Sequence, residues 1–174
     1  MILLTGFGPF RQVTDNPSGV LARSLDGARM KGLTVVGREL DVSYERAAQE
    51  TLALARNFEP VLVVGTGVAV TRSSVEVERI GRGGPPEGLD NDGACPKTVG
   101  ADYRSLVAEP LAQALGAGLS DDAGRYVCNA WLVRVGAGAA CPVAFVHLPP
   151  QGADPQNFLE ALGVGAKGLH PGVR

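Results

Sequence analysis

Short apolar runs alternate along the chain with stretches whose apolar residues recur at helical spacing. Four runs are of strand length and mostly apolar, which predicts strands at residues 2–5, 33–40, 61–65 and 142–147. A fifth run, residues 74–80, alternates apolar and polar side chains, so it predicts a strand with one exposed face.

The segments between these runs predict five helices, at residues 17–25, 44–57, 103–115, 127–135 and 155–162. Asn16 is a suitable N-cap for the first helix, and Ser43 precedes the second. Pro110 should kink or restart the third. Alternating strands and helices predict an α/β fold: a three-layer α/β/α sandwich around a largely parallel, mixed sheet, forming a single domain over residues 1–174.

Composition excludes several classes of protein. The formal charge of −2 gives no basic surface for nucleic acid or for an anionic membrane. The opening MILLTGFGPF is too short to span a membrane and lacks a positive leader, so we expect neither a signal peptide nor a membrane anchor. Three cysteines, an odd number, fit a reducing compartment, and we expect a cytoplasmic protein. Two histidines without ligand spacing predict no metal, and no cofactor is expected.

Three polar or glycine-rich segments follow the ends of predicted strands, at residues 5–8, 65–67 and 147–149. In sheets of this kind the ligand site lies beyond the carboxyl ends of the strands, so these segments should converge on one cleft. His147 is placed there to act as a general base. A histidine that only makes a hydrogen bond at a strand end is the alternative.

Cys128 lies at the predicted start of the fourth helix. The positive end of a helix lowers the pKa of a thiol, and its N–H groups can hold an oxyanion. The alternative is a buried cysteine acting as a small apolar residue. Cys95 and Cys141 favour that ordinary role, and His170 lies in a terminal segment where fraying is expected.

Acidic and glycine-rich segments give weaker evidence of a functional site. Glu78 shares a strand face with Glu76, and a solvated face is the ordinary interpretation of both. Residues 90–93 form a turn by composition, without the flanking pattern of a calcium loop. Residues 65–70 (GTGVAV) lack the third glycine and the following helix of a dinucleotide site.

Five motifs in a fixed order give the chain a family resemblance. They are residues 3–10 (LLTGFGPF) followed by Asn16-Pro17-Ser18, Glu78-Arg79, Asp90-Asn91-x-Gly93, residues 126–129 (YVCN) and residues 145–149 (FVHLP). Together they resemble the pyroglutamyl peptidases, also called pyrrolidone-carboxylate peptidases. They cover about residues 2–150.

This resemblance implies removal of an N-terminal 5-oxoproline from peptides, without a metal or an organic cofactor. Cys128 would be the nucleophile, His147 the base, and Glu78 the group that holds the imidazole in one tautomer. The product of the first step would be a thioester acyl-enzyme. The partners implied are peptides with N-terminal pyroglutamate, with a homotetramer or homodimer as the assembly.

Specificity also follows from the resemblance. The uncharged lactam ring suits an apolar slot, and the aromatic residues at matching positions are Phe7, Phe10 and Tyr126, with Phe10 favoured as a wall for the ring. Core packing is the alternative for Phe7 and Phe10. Asn16 and Asp90 are expected to brace the loops around the site.

The chain departs from the family at two places that bear on the substrate. The family's Gln-Ala-Gly-Gly-Arg is replaced by residues 68–72 (VAVTR). An arginine that precedes Asp-Asn and assists the oxyanion is replaced by Glu87, and Arg82 is the candidate substitute. These changes keep two alternatives open: a non-catalytic protein that binds a lactam or peptide, and an amidase for another cyclic acyl group.

Overall fold

The computed structural model describes residues 1–167, which form nine strands and five helices. The strands are β1 (Ile2–Phe7), β2 (Arg29–Met30), β3 (Leu33–Leu40), β4 (Leu62–Val68), β5 (Glu76–Glu78), β6 (Ile80–Gly81), β7 (Tyr103–Arg104), β8 (Gly118–Ser120) and β9 (Val143–Leu148). The helices are α1 (Pro17–Ser24), α2 (Arg46–Phe58), α3 (Ala108–Leu115), α4 (Val127–Gly138) and α5 (Pro155–Gly165).

Seven strands form one mixed sheet in the order β2-β3-β1-β4-β9-β5-β8. The central pairs β3–β1, β1–β4 and β4–β9 are parallel, and so is β5–β8. The β9–β5 and β2–β3 pairs are antiparallel. The antiparallel β9–β5 pair matters for the site, because it brings the end of β9 beside the start of β5.

Helices cover both faces of this sheet. Helices α1, α3 and α5 pack on one face, against alternate residues of the central strands such as Leu4, Val64 and Val146. Helices α2 and α4 pack on the other face, where Trp131 and Phe145 are fully buried. The predicted three-layer arrangement is therefore confirmed.

The predicted helix over residues 103–115 is wrong in its first part. Tyr103–Arg104 pairs with β6 as a short strand, and helix α3 begins at Ala108. Pro110 consequently lies in the first turn of α3, where the N–H that it lacks would have no helical partner. The sequence allowed a kink or a restart at Pro110, and the structure has a helix start two residues before it.

The segment over residues 74–80 also differs from the prediction. It forms two short strands, β5 and β6, and β5 lies inside the sheet between β9 and β8. Val77 and Glu78 are both fully buried, so the expected exposed face does not include Glu78. The alternating polar residues suggested a face exposed to water, but the polar residues of this face take part in an ion pair instead.

The sequence signals for helix N-caps predicted the structure better than the polar alternation did. The Asn16 side chain accepts a hydrogen bond from the Ser18 N–H at the start of α1, as predicted. Helix α2 begins at Arg46 rather than at Tyr44, although the Arg46 N–H still donates to Ser43 Oγ at 3.2 Å. Within residues 1–167, no helix has the length and apolar character needed to cross a membrane.

Close contact between α1 and the sheet gives a stability prediction. A Cβ added to Gly6 would clash with the backbone carbonyl of Ser18 in α1. We expect Gly6→Ala to lower the free energy of unfolding by about 1–3 kcal/mol, measured by urea denaturation. Gly118→Ala is the matched control, because its Cβ would make only ordinary contacts, with the Glu76 side chain at 3.4 Å and the Val75 carbonyl at 4.0 Å. Equal stability of Gly6→Ala and the unchanged protein would contradict this packing.

Candidate active site

A buried carboxylate and an imidazole meet between β5 and β9. Glu78 is the last residue of β5 and is fully buried, and His147 lies near the end of β9 and is 5% exposed. The Nδ1 atom of His147 lies 2.7 Å from Oε1 of Glu78. The predicted pairing of these two side chains is therefore present in the structure.

Arg72 holds this carboxylate from the turn that follows β4. Its Nη1 atom lies 2.6 Å from Oε1 of Glu78 and 2.7 Å from Oε2 of Glu76. Its Nη2 atom donates to the carbonyl of Asp122 at 2.7 Å and to Ser120 Oγ at 3.2 Å. The sequence analysis missed this role. The signal that could have found it was an arginine between the end of β4 and the two acidic residues of β5.

The charge state of Glu78 follows from these contacts. Burial alone would raise the pKa of Glu78, but the hydrogen bond and charge of His147, with Ser120 and the Arg72 guanidinium, hold that pKa below its usual value. Glu78 is therefore ionised and can only accept hydrogen bonds. Its Oε2 atom has no hydrogen-bond partner within residues 1–167.

Cys128 approaches His147 from helix α4. It is the second residue of α4, and Tyr126 at the N-cap makes no side-chain capping bond. A Cβ added to Gly67 would lie 2.7 Å from the Cys128 sulfur, so the thiol rests against this glycine. Gly67 pairs directly with His147 across β4 and β9. Directly paired residues of neighbouring strands point to the same face of the sheet, so the sulfur lies on the face that carries the imidazole.

The pKa of the Cys128 thiol differs from the expectation. Burial, reinforced by the negative charge of Glu78, raises the pKa of Cys128 to about 12. A backbone hydrogen bond and Arg72 oppose this rise without reversing it. The expected lowering of the thiol pKa by the helix is therefore wrong for the unliganded protein, and the thiol is protonated at neutral pH.

Cys128 and His147 both line a cavity of about 700 Å³. Phe7, Phe10 and Tyr126 line the same cavity, as does the replaced segment Val68–Arg72, whose Val70 side chain is 61% exposed. The Phe10 and Tyr126 rings lie 6.2 Å apart, whereas Phe7 is buried and packs toward Phe145 at 6.5 Å. The lining is mostly apolar beside a thiol and an imidazole.

Asn16 and Asp90 have bracing contacts. The Asn16 Nδ2 atom donates to the carbonyl of Gly8 at 2.9 Å, and Asn16 also borders the cavity. Asp90 accepts bonds from the Tyr44 N–H at 2.8 Å and from the N–H groups of its own turn, at Asp92 and Ala94. Both side chains hold loops next to the site.

The candidate substitute Arg82 is not at the cavity. Its guanidinium pairs with Asp102 at 3.3 Å, while its backbone N–H and carbonyl are held by the Asn129 side chain. Glu87 likewise pairs with Arg125 at 3.2 Å. Arg11, which the sequence analysis did not single out, is the arginine that lines the cavity together with Arg72.

The remaining cysteines lie elsewhere. Cys95 is exposed near the carbonyl of Pro86, and Cys141 borders a separate cavity of about 400 Å³ at the end of α2. His170 falls outside the described residues. Within residues 1–167, no three histidine, cysteine or acidic side chains form a metal-ligand cluster.

Comparison of the sequence with known proteins points to one family. The sequence model of the pyroglutamyl peptidase family matches residues 1–83. A pyrrolidone-carboxylate peptidase of Pseudomonas fluorescens is 30% identical over 99% of this chain and 91% of its own length. One from Cupriavidus pinatubonensis is 31% identical over 85% of this chain and 77% of its own.

Solved structures share the fold. The pyroglutamyl peptidase I of Bacillus amyloliquefaciens superposes with a TM-score of 0.84 at 22% identity, covering 95% of this chain and 92% of that one. The pyrrolidone carboxyl peptidase of Thermococcus litoralis gives 0.83 at 26% identity, covering 95% and 91%. The chain therefore belongs to the pyroglutamyl peptidase family.

Proposed function

We propose that the chain is a cysteine omega peptidase that hydrolyses the amide bond after an N-terminal pyroglutamyl residue. The observation that carries this proposal is the Glu78–His147 pair beside the Cys128 thiol, at the edge of a mostly apolar cavity. The family relationship supplies the reaction class. The geometry supports the roles of nucleophile, base and base-orienting group proposed for Cys128, His147 and Glu78.

His147 is proposed as the general base through Nε2. Ionised Glu78 only accepts hydrogen bonds, so Nδ1 of His147 carries the proton shared with it. In the neutral ring Nε2 then has a free lone pair, which can take the thiol proton from Cys128. Arg72 acts through Glu78 and is a positioning residue.

The raised pKa of Cys128 determines when the thiol loses its proton in the first step. Because Cys128 is neutral before substrate binds, proton transfer to His147 accompanies attack on the pyroglutamyl carbonyl. The sulfur–carbon bond forms, the oxyanion faces the N–H groups at the start of α4, and the peptide amine leaves with the proton from His147. Water activated by His147 then hydrolyses the thioester, which releases pyroglutamate and restores the thiol.

The lactam is proposed to bind among the apolar residues of the cavity. Phe10 and Tyr126 supply aromatic walls, and Val68 and Val70 place apolar side chains where the family has a glutamine and a glycine. A flat, uncharged ring suits such a lining. The three free thiols also fit a reducing compartment such as the cytoplasm.

The nucleophile assignment is tested by release of dye from a pyroglutamyl-aminocoumarin amide. We expect Cys128→Ser to lower kcat at least about 1000-fold, because the reaction loses its covalent path. Cys95→Ser is the matched control, since that thiol is exposed outside the cavity, and it should retain activity.

Three outcomes would contradict the proposal. Full activity of Cys128→Ser would exclude this nucleophile. No dye release by the folded, unchanged protein, together with thermal stabilisation by pyroglutamate, would instead establish a lactam-binding protein. Cleavage of other cyclic acyl amides but not of the pyroglutamyl amide would establish a different amidase.

Arg72 gives a prediction about the pH dependence. In Arg72→Gln, Glu78 loses a cation that helps to hold its pKa below the usual value, so this carboxylate becomes protonated at a higher pH. We expect kcat to fall about tenfold or more and the acid limb of kcat/KM to move to higher pH. Arg72→Lys should restore part of the rate, because it keeps the charge but not the four contacts.

The control for Arg72 is Arg104→Gln, which removes an exposed arginine on β7. It should leave both the rate and the pH profile as they are in the unchanged protein. A folded Arg72→Gln variant with an unshifted acid limb would show that Arg72 does not act on the Glu78–His147 pair.

A further inference from the structure

The cavity holds a cation that no described carboxylate neutralises. Arg11 and Arg72 both line it. Arg72 is paired with Glu76 and Glu78, whereas Arg11 has no carboxylate within 4.0 Å among residues 1–167. Asp122, the acidic residue in the lining, has its carboxylate capped by the Gly124 N–H. Arg11 is therefore the cation available to a ligand.

Arg11 is held over a fixed aromatic surface. Its guanidinium carbon lies 4.8 Å from the centre of the Tyr126 ring, a cation–π distance. Tyr126 is itself fixed by its hydroxyl, which donates to the carbonyl of Leu89 at 2.9 Å, and by an edge contact with Tyr44 at 5.6 Å. The arginine thus lies on a ring two residues from Cys128.

The backbone around Arg11 leaves room for its guanidinium. A Cβ added to Gly88 would lie 2.8 Å from Nη2 of Arg11, so the guanidinium occupies space that a side chain there would take. Arg11 itself has a φ of +47°, a conformation that is uncommon for residues other than glycine. Residues held in such strained conformations cluster at functional positions.

The size of the cavity leaves room for more than the lactam. A volume of about 700 Å³ is in the range of pockets for drug-sized ligands, whereas the pyroglutamyl ring is a single five-membered lactam. One further residue extends the substrate by about 3.5 Å. The residue that follows pyroglutamate can therefore lie in the same cavity, near the Tyr126 surface.

From these contacts we propose that Arg11 is a specificity-determining residue that pairs with a carboxylate on the residue after pyroglutamate. The inference rests on the proposed function and names its preferred substrates: short peptides whose second residue carries a free C-terminal carboxylate or an acidic side chain. A guanidinium binds a carboxylate through two parallel hydrogen bonds, which an amide cannot reproduce.

Binding to the Cys128→Ala variant tests this without depending on catalysis. The peptides are pyroglutamyl-alanine, its C-terminal amide and pyroglutamyl-glutamate amide, with Kd measured by calorimetry. We expect both anionic peptides to bind about 2- to 5-fold more tightly than the neutral amide, as for a partly exposed ion pair. The preference should shrink as salt is raised.

Arg11 is then changed in the same background. Arg11→Gln should remove the preference, and Arg11→Glu should invert it in favour of pyroglutamyl-lysine amide. Arg11→Gly, which also relieves the left-handed backbone, is the second variant in case a longer side chain disturbs folding. Arg29→Gln, an exposed arginine on the edge strand β2, is the charge-matched control and should keep the preference.

The outcomes separate the two proposals. If Arg11→Gln leaves the ratio of Kd values unchanged, or if Arg29→Gln lowers it equally, the role of Arg11 is overturned. If only one of the two anionic peptides binds more tightly than the neutral amide, the result supports the role of Arg11. It also shows whether Arg11 pairs with a C-terminal carboxylate or with an acidic side chain. Absence of dye release by the unchanged protein counts against the proposed function alone.

Discussion

The structure depends on a carboxylate that is buried at the end of β5, between β9 and the edge strand β8. Removing Glu78 from water is costly, and an isolated charge there would be protonated rather than retained. The Arg72 guanidinium offsets this cost by pairing with the carboxylate. The same carboxylate fixes the orientation of the His147 ring through a hydrogen bond. The antiparallel β9–β5 pair sets Glu76 opposite His147 and Glu78 opposite Phe145, so Glu78 is a diagonal neighbour of His147 on the same face of the sheet.

The thiol is controlled by the same arrangement. Cys128 rests on Gly67, beside the strand that carries His147, and burial with the charge of Glu78 keeps it protonated. A nucleophile of this kind is inert until a base removes its proton, which protects it in the absence of substrate. The carboxylate therefore has two opposite effects: it disfavours the free thiolate and favours the imidazolium that forms during attack.

Sequence patterns predicted those features that local chemistry decides. The apolar runs of β1 and β3 and the Asn16 cap were predicted because their signals lie within a few residues. The buried state of Glu78 was not predictable from its strand, since it depends on Arg72, which arrives from another turn. Arg11 was missed for the same reason: its position is defined by Tyr126, far away in the sequence. Motif resemblance brought Cys128, His147 and Glu78 together, whereas periodicity alone left each with an ordinary alternative.

The most direct test of the central claim is the tautomer of His147, measured by nitrogen-15 NMR on histidine-labelled protein. The account predicts that the neutral ring carries its proton on Nδ1, shared with Glu78, and leaves Nε2 as the lone-pair nitrogen. Assignment is simple because the chain has two histidines. A neutral ring with its proton on Nε2 would contradict the account, since that nitrogen could not accept the thiol proton.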